Sequence, residues 1–151
     1  MLDQSKRSPS GAVGILQVIP KYAAAAPISI SNVATPDGNI HAGVKILRNI
    51  EDTYFNDPQI DPANKILFVF ASYNAGPKRI AKLRKEAVNK GLDPNVWFDN
   101  VELVASKEIG QETVTYVANI YKYYVAYKLA VEQRQAREKA KGLPASEFLP
   151  R

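Results

Sequence analysis

Two short segments hold the residues best suited to chemistry. The first is Ser8-Pro9-Ser10-Gly11-Ala12-Val13-Gly14-Ile15-Leu16-Gln17-Val18-Ile19-Pro20, where two glycines frame an apolar run containing one uncharged polar side chain, Gln17. A glutamine in such surroundings has two uses. It can pair its amide with nearby backbone, since a buried amide left unpaired costs roughly 1 to 3 kcal/mol, or it can face a cleft and bind a ligand's amides or hydroxyls. The second segment is Ser72-Tyr73-Asn74-Ala75-Gly76-Pro77. Tyr73 and Asn74 set a flat ring, a hydroxyl and an amide side by side where Gly-Pro bends the backbone. Sugar sites use that mixture, with the ring against C–H surfaces and fixed polar groups against hydroxyls. The same residues also suit an ordinary helix C-terminal turn.

Other chemistries find little support. There is no cysteine, hence no disulfide, thiolate nucleophile or cysteine metal site. His41 is the sole histidine, so neither a histidine-based triad nor a zinc cluster follows, and no metal or cofactor is expected. Gly38 to Lys45 has two glycines and a lysine, but not the phosphate-loop spacing. Gly11-Ala12-Val13-Gly14 is too short for a dinucleotide fingerprint.

Helices must position these segments. Residues 1–11 read as loop, residues 12–19 as a short apolar segment stopped by Pro20, and residues 22–38 as a short helix and a long loop. A helix is expected from Asp37 as its N-cap, with Ile40, Val44, Leu47, Ile50 and Tyr54 forming one inward apolar stripe. A second begins at Asp61-Pro62 and is apolar all round through residues 66–71, as a central buried helix would be. A third follows Pro77, with Ile80, Leu83 and Ala87 inward and Gly91 as its stop. A fourth covers roughly residues 96–107. A last, long helix starts at Gln111 and turns polar in a charged tail over residues 131–142. No stretch alternates with period two for long, so the fold class is all-α.

The chain has 151 residues, 46% hydrophobic and 23% charged, which suits one globular domain. Its net charge of +5 is a modest basic excess, densest at Lys78, Arg79, Lys82, Arg84 and Lys85, spaced as a solvated helix face would be. No run approaches the ~20 apolar residues that span a bilayer. The opening residues, MLDQSKRSPSG, do not form a signal peptide.

Taken in order, these segments resemble the soluble lytic transglycosylase family, relatives of goose-type lysozyme. Its members carry a glutamate-serine pair, then a serine, a Gly-Ala-x-Gly-Leu-Met-Gln segment, Ala-Tyr-Asn-Ala-Gly, and a late Glu-Thr-x-x-Tyr-Val stretch opening the last helix. This sequence supplies Ser8, residues 11–17, Tyr73-Asn74-Ala75-Gly76, and Glu112-Thr113-Val114-Thr115-Tyr116-Val117. Asn39-Ile40 and Gly43 resemble the link between the first two motifs. The resemblance covers roughly residues 2–129. Leu16 and Ile19 stand where methionines are common, swaps that preserve volume.

The resemblance implies a lysozyme-like helical domain over residues 1–129, lacking its first helix, with residues 130–151 as a charged helical tail. It implies lytic transglycosylase chemistry on peptidoglycan: non-hydrolytic cleavage of MurNAc-GlcNAc β-1,4 bonds to 1,6-anhydromuramoyl products, in which one glutamate acts as acid and then as base. That glutamate is expected two positions before Met1, so the sequence as given is expected to be catalytically incomplete. Ser8, Gln17, Tyr73, Asn74, Glu112 and Tyr116 are the implied saccharide-binding residues. Glu112 would orient the tyrosine or its neighbours from behind. The implied partner is the glycan strand rather than nucleic acid or a membrane span, and the implied location is the periplasm or cell envelope. Loss of a first helix would expose apolar surface around Phe68, Phe70 and residues 15–19, inviting self-association. A non-catalytic glycan-binding module of the same fold is the alternative, and a basic helical adaptor a remote one.

Overall fold

The computed structural model describes residues 3–140. Within them the chain forms α1 (Pro20–Ala24), α2 (Pro36–Tyr54), α3 (Pro62–Ala75), α4 (Pro77–Asn89), a wide kinked turn (Trp97–Val101), α5 (Glu102–Ile109) and α6 (Gln111–Ala140). No strand forms among the described residues. Two isolated bridges, Arg7 with Val13 and Val13 with Val18, fold the glycine-framed segment back on itself. The domain is all-α, as the periodicity requires.

Proline opens α1, α2, α3 and α4, where its missing N–H costs nothing and its fixed φ is already helical. Asp61 caps α3 by accepting from the amides of Ala63 and Asn64 at 2.9 and 3.0 Å. The Asn64 side-chain amide and these backbone bonds hold its carboxyl below the usual range. The cap of α2 is Thr35, whose hydroxyl accepts from Gly38 N at 3.2 Å, so Asp37 lies inside the first turn rather than at the cap. An acid there still suits the helix dipole.

α3 is the central element, touching α2, α4, α6 and the kinked turn. Leu67, Phe68, Val69, Ala71 and Ser72 are all buried. Phe68 stacks on Phe55 at 5.6 Å and meets Trp97 edge-on at 5.8 Å, and all three rings are fully buried. Arg84 closes this aromatic cluster. Its guanidinium lies 5.2 Å from the Phe68 ring centre, donates to Pro94 O at 2.7 Å and bonds the Asn95 side chain. The five-residue basic cluster is therefore not one solvated face: Arg84 turns inward, while its neighbours stay outside.

The stripe expected on α2 also needs correction. Ile40 and Val44 are exposed, at 43% and 54%. The inward face runs instead through Asn39, Ala42, Gly43 and Ile50, with Ile46 packed beside them. Small residues on that face let the loop of residues 12–18 approach closely. A Cβ on Gly43 would collide with the Leu16 side chain.

The apolar surface expected around Phe68 and residues 15–19 is covered. Phe68 is fully buried, Val18 is 1% exposed, and Phe70, Ile15, Leu16 and Ile19 are half-buried. The exposed apolar side chains sit elsewhere, notably Tyr123, Tyr127 and Leu129 on α6. α6 itself runs without a break through residue 129, the expected end of the domain. Its distal part is mostly exposed and carries i,i+4 pairs such as Arg134–Glu138 at 2.9 Å. The remainder of the expected tail, residues 141–151, lies outside the described residues.

Candidate functional site

The loop of residues 3–18 has almost no regular structure, so polar side chains must hold it. Asn39, fully buried on α2, does most of this. Its carbonyl accepts from Leu16 N at 2.8 Å, and its amide donates to Val13 O at 2.8 Å and Val33 O at 3.1 Å. Gln4 adds a second clasp, donating to Val33 O and Ala34 O and accepting from Ile15 N. Gly14, at φ +77°, lies beneath both: a Cβ there would come within 2.5 Å of the Asn39 amide and 2.6 Å of Gln4. The glycine is needed for conformation and for space.

This anchoring aims the Leu16 carbonyl at the end of α3, where the Tyr73 hydroxyl donates to it at 2.8 Å. Two segments 57 residues apart are thereby locked together. On the other side, Thr113 in the first turn of α6 donates to Asn74 Oδ1 at 2.7 Å. Tyr116, one turn further along α6, is half-buried and influences Tyr73 electrostatically. Loop, α3 terminus and α6 start thus converge at one end of the helix bundle.

The expected site residues divide accordingly. Tyr73, Asn74 and Tyr116 are brought together directly. Gln17 sits at φ +50° in the turn beside them, and its amide donates to Gly14 O at 2.8 Å and Lys6 O at 3.4 Å. Its donor therefore shapes the loop, while its carbonyl has no partner among the described residues. Ser8 works within the loop, its hydroxyl accepting from Ala12 N at 2.9 Å and sharing a bond with Ser10. Glu112 is exposed on the first turn of α6, and no hydrogen bond or ion pair ties it to the cluster among the described residues. The contact to Asn74 comes from its neighbour Thr113.

Three roles escaped the sequence reading: the clasp made by Gln4, the anchoring by Asn39, and the bond from Thr113 to Asn74. For Asn39 a signal existed, since it lies three and four residues before Ala42 and Gly43 on a face of small residues. A polar residue at such a position implies buried partners.

Burial, and secondarily Tyr116, pushes the Tyr73 phenol up to about 12. Burial also raises Tyr116. Both therefore remain hydrogen-bond donors at neutral pH. The sign for stability follows: a folded-state value above the ordinary 10 means the fold favours the neutral phenol. The Tyr73 contribution is complete below pH 10 and is lost as pH climbs through 10 to 12. Tyr73→Phe should be less stable than the parent at pH 8 by about 1 kcal/mol, the worth of one hydrogen bond. That gap should shrink by about 1 kcal/mol at pH 11, with partial solvent access reducing the effect. Urea unfolding of both proteins at the two pH values checks it; a gap independent of pH contradicts the assignment.

No carboxylate bonds to the Tyr73–Asn74–Gln17 cluster among the described residues. The acids with shifted titration, Asp3 and Asp61, are exposed and both lowered by hydrogen bonds, the reverse of what a general acid needs.

The chain is 30% identical over 130 residues to membrane-bound lytic murein transglycosylase F of Pseudomonas fluorescens, covering 78% of this chain and 26% of the relative. Identity to the protein of the same name is 28% over 142 residues in Vibrio cholerae (85% and 26% covered) and 31% over 132 residues in Shewanella loihica (78% and 27%). The chain thus spans about a quarter of the length of these relatives. Residues 1–95, which include the anchored loop, Tyr73 and Asn74, match the transglycosylase SLT domain, and the chain belongs to that family.

Proposed function

We propose that this domain binds peptidoglycan glycan strands and forms the larger part of a lytic transglycosylase site. The observation that carries this reading is the convergence of Tyr73, Asn74 and Gln17, fixed through the Tyr73–Leu16 and Thr113–Asn74 bonds. A sugar ring can lie on a phenol held rigid in this way, with the Gln17 carbonyl and the Asn74 amide group left to meet hydroxyls and N-acetyl groups. In the reaction the bond between C1 of MurNAc and O4 of GlcNAc breaks, and a carboxylic acid gives O4 its proton. The sugar's own 6-hydroxyl then bonds to C1 and returns a proton to that carboxylate, so no water is consumed. We assign the acid to a glutamate outside the present sequence, expected two positions before Met1. A cell-envelope location fits this substrate and the membrane-bound relatives. Among the described residues no helix is long and apolar enough to cross a membrane.

A second reading is a glycan-binding module that performs no cleavage, since the cluster's bonds among the described residues run to backbone, hydroxyl and amide groups. Both readings require binding. Titration with chitooligosaccharide should shift NMR resonances of Gln17, Tyr73, Asn74 and Tyr116. Shifts confined to α4 around Lys82 would defeat both and favour a basic adaptor.

A further inference from the structure

The positive charge of this chain is concentrated on one helix. α4 carries five cations and one acid, and so holds four of the net five positive charges. With Arg84 drawn into the core, Lys78, Lys82 and Lys85 line one exposed ridge at i, i+4 and i+7, with Arg79 beside them. Among the described residues, Lys82 pairs with Glu86 at 3.5 Å and the other three have no ion pair. Lys78 and Arg79 also occupy the first turn of α4, where there is no acid and where the helix dipole disfavours cations. This placement works against helix stability, so a solubilising surface does not explain it. The ridge starts immediately after the corner that bears Tyr73 and Asn74, Lys78 lying four residues beyond Asn74.

Resting on the proposed glycan site, we infer that this ridge recognises the carboxylates of the peptide stems hanging from a bound strand. A strand seated at Tyr73 and Asn74 carries its stems past the adjoining edge. A row of lysines on flexible stems suits anions whose positions vary along a polymer. Such a ridge makes the domain prefer peptide-bearing glycan to bare glycan, and the preference weakens as salt rises.

The test compares the parent chain with a Lys78→Gln, Lys82→Gln, Lys85→Gln variant and with the corresponding triple Lys→Arg variant. All three lysines are exposed, so the fold should be retained, and circular dichroism checks this. Binding is measured at low and high salt to soluble strands with stems, to strands stripped of stems by an amidase, and to chitooligosaccharide. The parent should bind stem-bearing strands about tenfold more tightly than stripped ones at low salt, as expected for three exposed ion pairs. The glutamine variant should lose that excess alone, the arginine variant should keep it, and chitooligosaccharide binding should not change. Equal parent affinity for stem-bearing and stripped strands overturns the ridge assignment and leaves the glycan site standing. Absence of binding to any glycan overturns both. Loss of the variant's binding to phosphatidylglycerol vesicles, with strand binding intact, makes the ridge a membrane contact and also overturns it.

Discussion

Incubated with purified sacculi, the 151-residue chain should release anhydromuropeptides at least 10²-fold more slowly than a full-length relative. General acid–base catalysis by a positioned side chain contributes typically 10²–10⁴-fold, and this chemistry asks one carboxyl to serve both steps. Around the convergent cluster every described partner is a backbone group, hydroxyl, amide or phenol. The phenols cannot substitute, because burial keeps Tyr73 and Tyr116 protonated far above neutral pH, as poor acids and poorer bases. Mass spectrometry of the digest reads the outcome directly. Turnover equal to that of a relative would place the acid within this sequence, with Glu112 the first residue to substitute. The first helix of a full-length relative, ending in its glutamate-serine pair immediately before Met1, should restore cleavage if the transglycosylase reading holds. A domain that binds chitooligosaccharide but stays silent with the pair restored would be a binding module.

How much of this was legible in the sequence depends on which forces act at each position. The central helix α3 could be read because its signals are local and agree: Asp61 caps, Pro62 opens, and an apolar run fills the core. The α2 stripe misled for the opposite reason. Ile40 and Val44 repeat at helical spacing, but the loop of residues 12–18 packs against the smaller Ala42 and Gly43, and close approach outweighs hydrophobicity there. Arg84 shows the same limit. Nothing in its spacing separates it from Lys82 or Lys85; the Phe55–Phe68 pair, the Pro94 carbonyl, Asn95 and Asp57, all supplied from other elements, draw it inward. Of the candidate site, Tyr73, Asn74 and Tyr116 were legible through motif resemblance. The bonds that join them, Tyr73 to Leu16 and Thr113 to Asn74, span 57 and 39 residues, and no local pattern encodes them.

Asn39 should prove the costliest single substitution in the polar framework. Replacing it with alanine leaves Leu16 N unpaired and removes one of two bonds at Val13 O, which keeps Val18 N, and at Val33 O, which keeps Gln4. A buried donor left unpaired costs about 1–3 kcal/mol and each of the two other lost bonds about 1 kcal/mol, a sum of about 3–5 kcal/mol. That is a large share of the 5–15 kcal/mol margin of a typical domain. It corresponds to a fall in melting temperature of roughly 10 °C or more for a chain of this size. Asn39→Asp should be no better, because the carboxylate keeps the acceptor for Leu16 N but turns a negative charge toward two carbonyl oxygens. The damage should also be directional. Hydrogen exchange should accelerate first at Gly14, Leu16 and Val18, while the amides of α3 around Phe68 stay protected until global unfolding. Because the Leu16 carbonyl loses its aim, Tyr73 loses its acceptor, and chitooligosaccharide affinity should fall although Asn39 is buried beneath the loop. Full protection of the loop in Asn39→Ala, with a melting temperature within 2 to 3 °C of the parent (about 1 kcal/mol), would show that Gln4 and the two bridges suffice to hold the site.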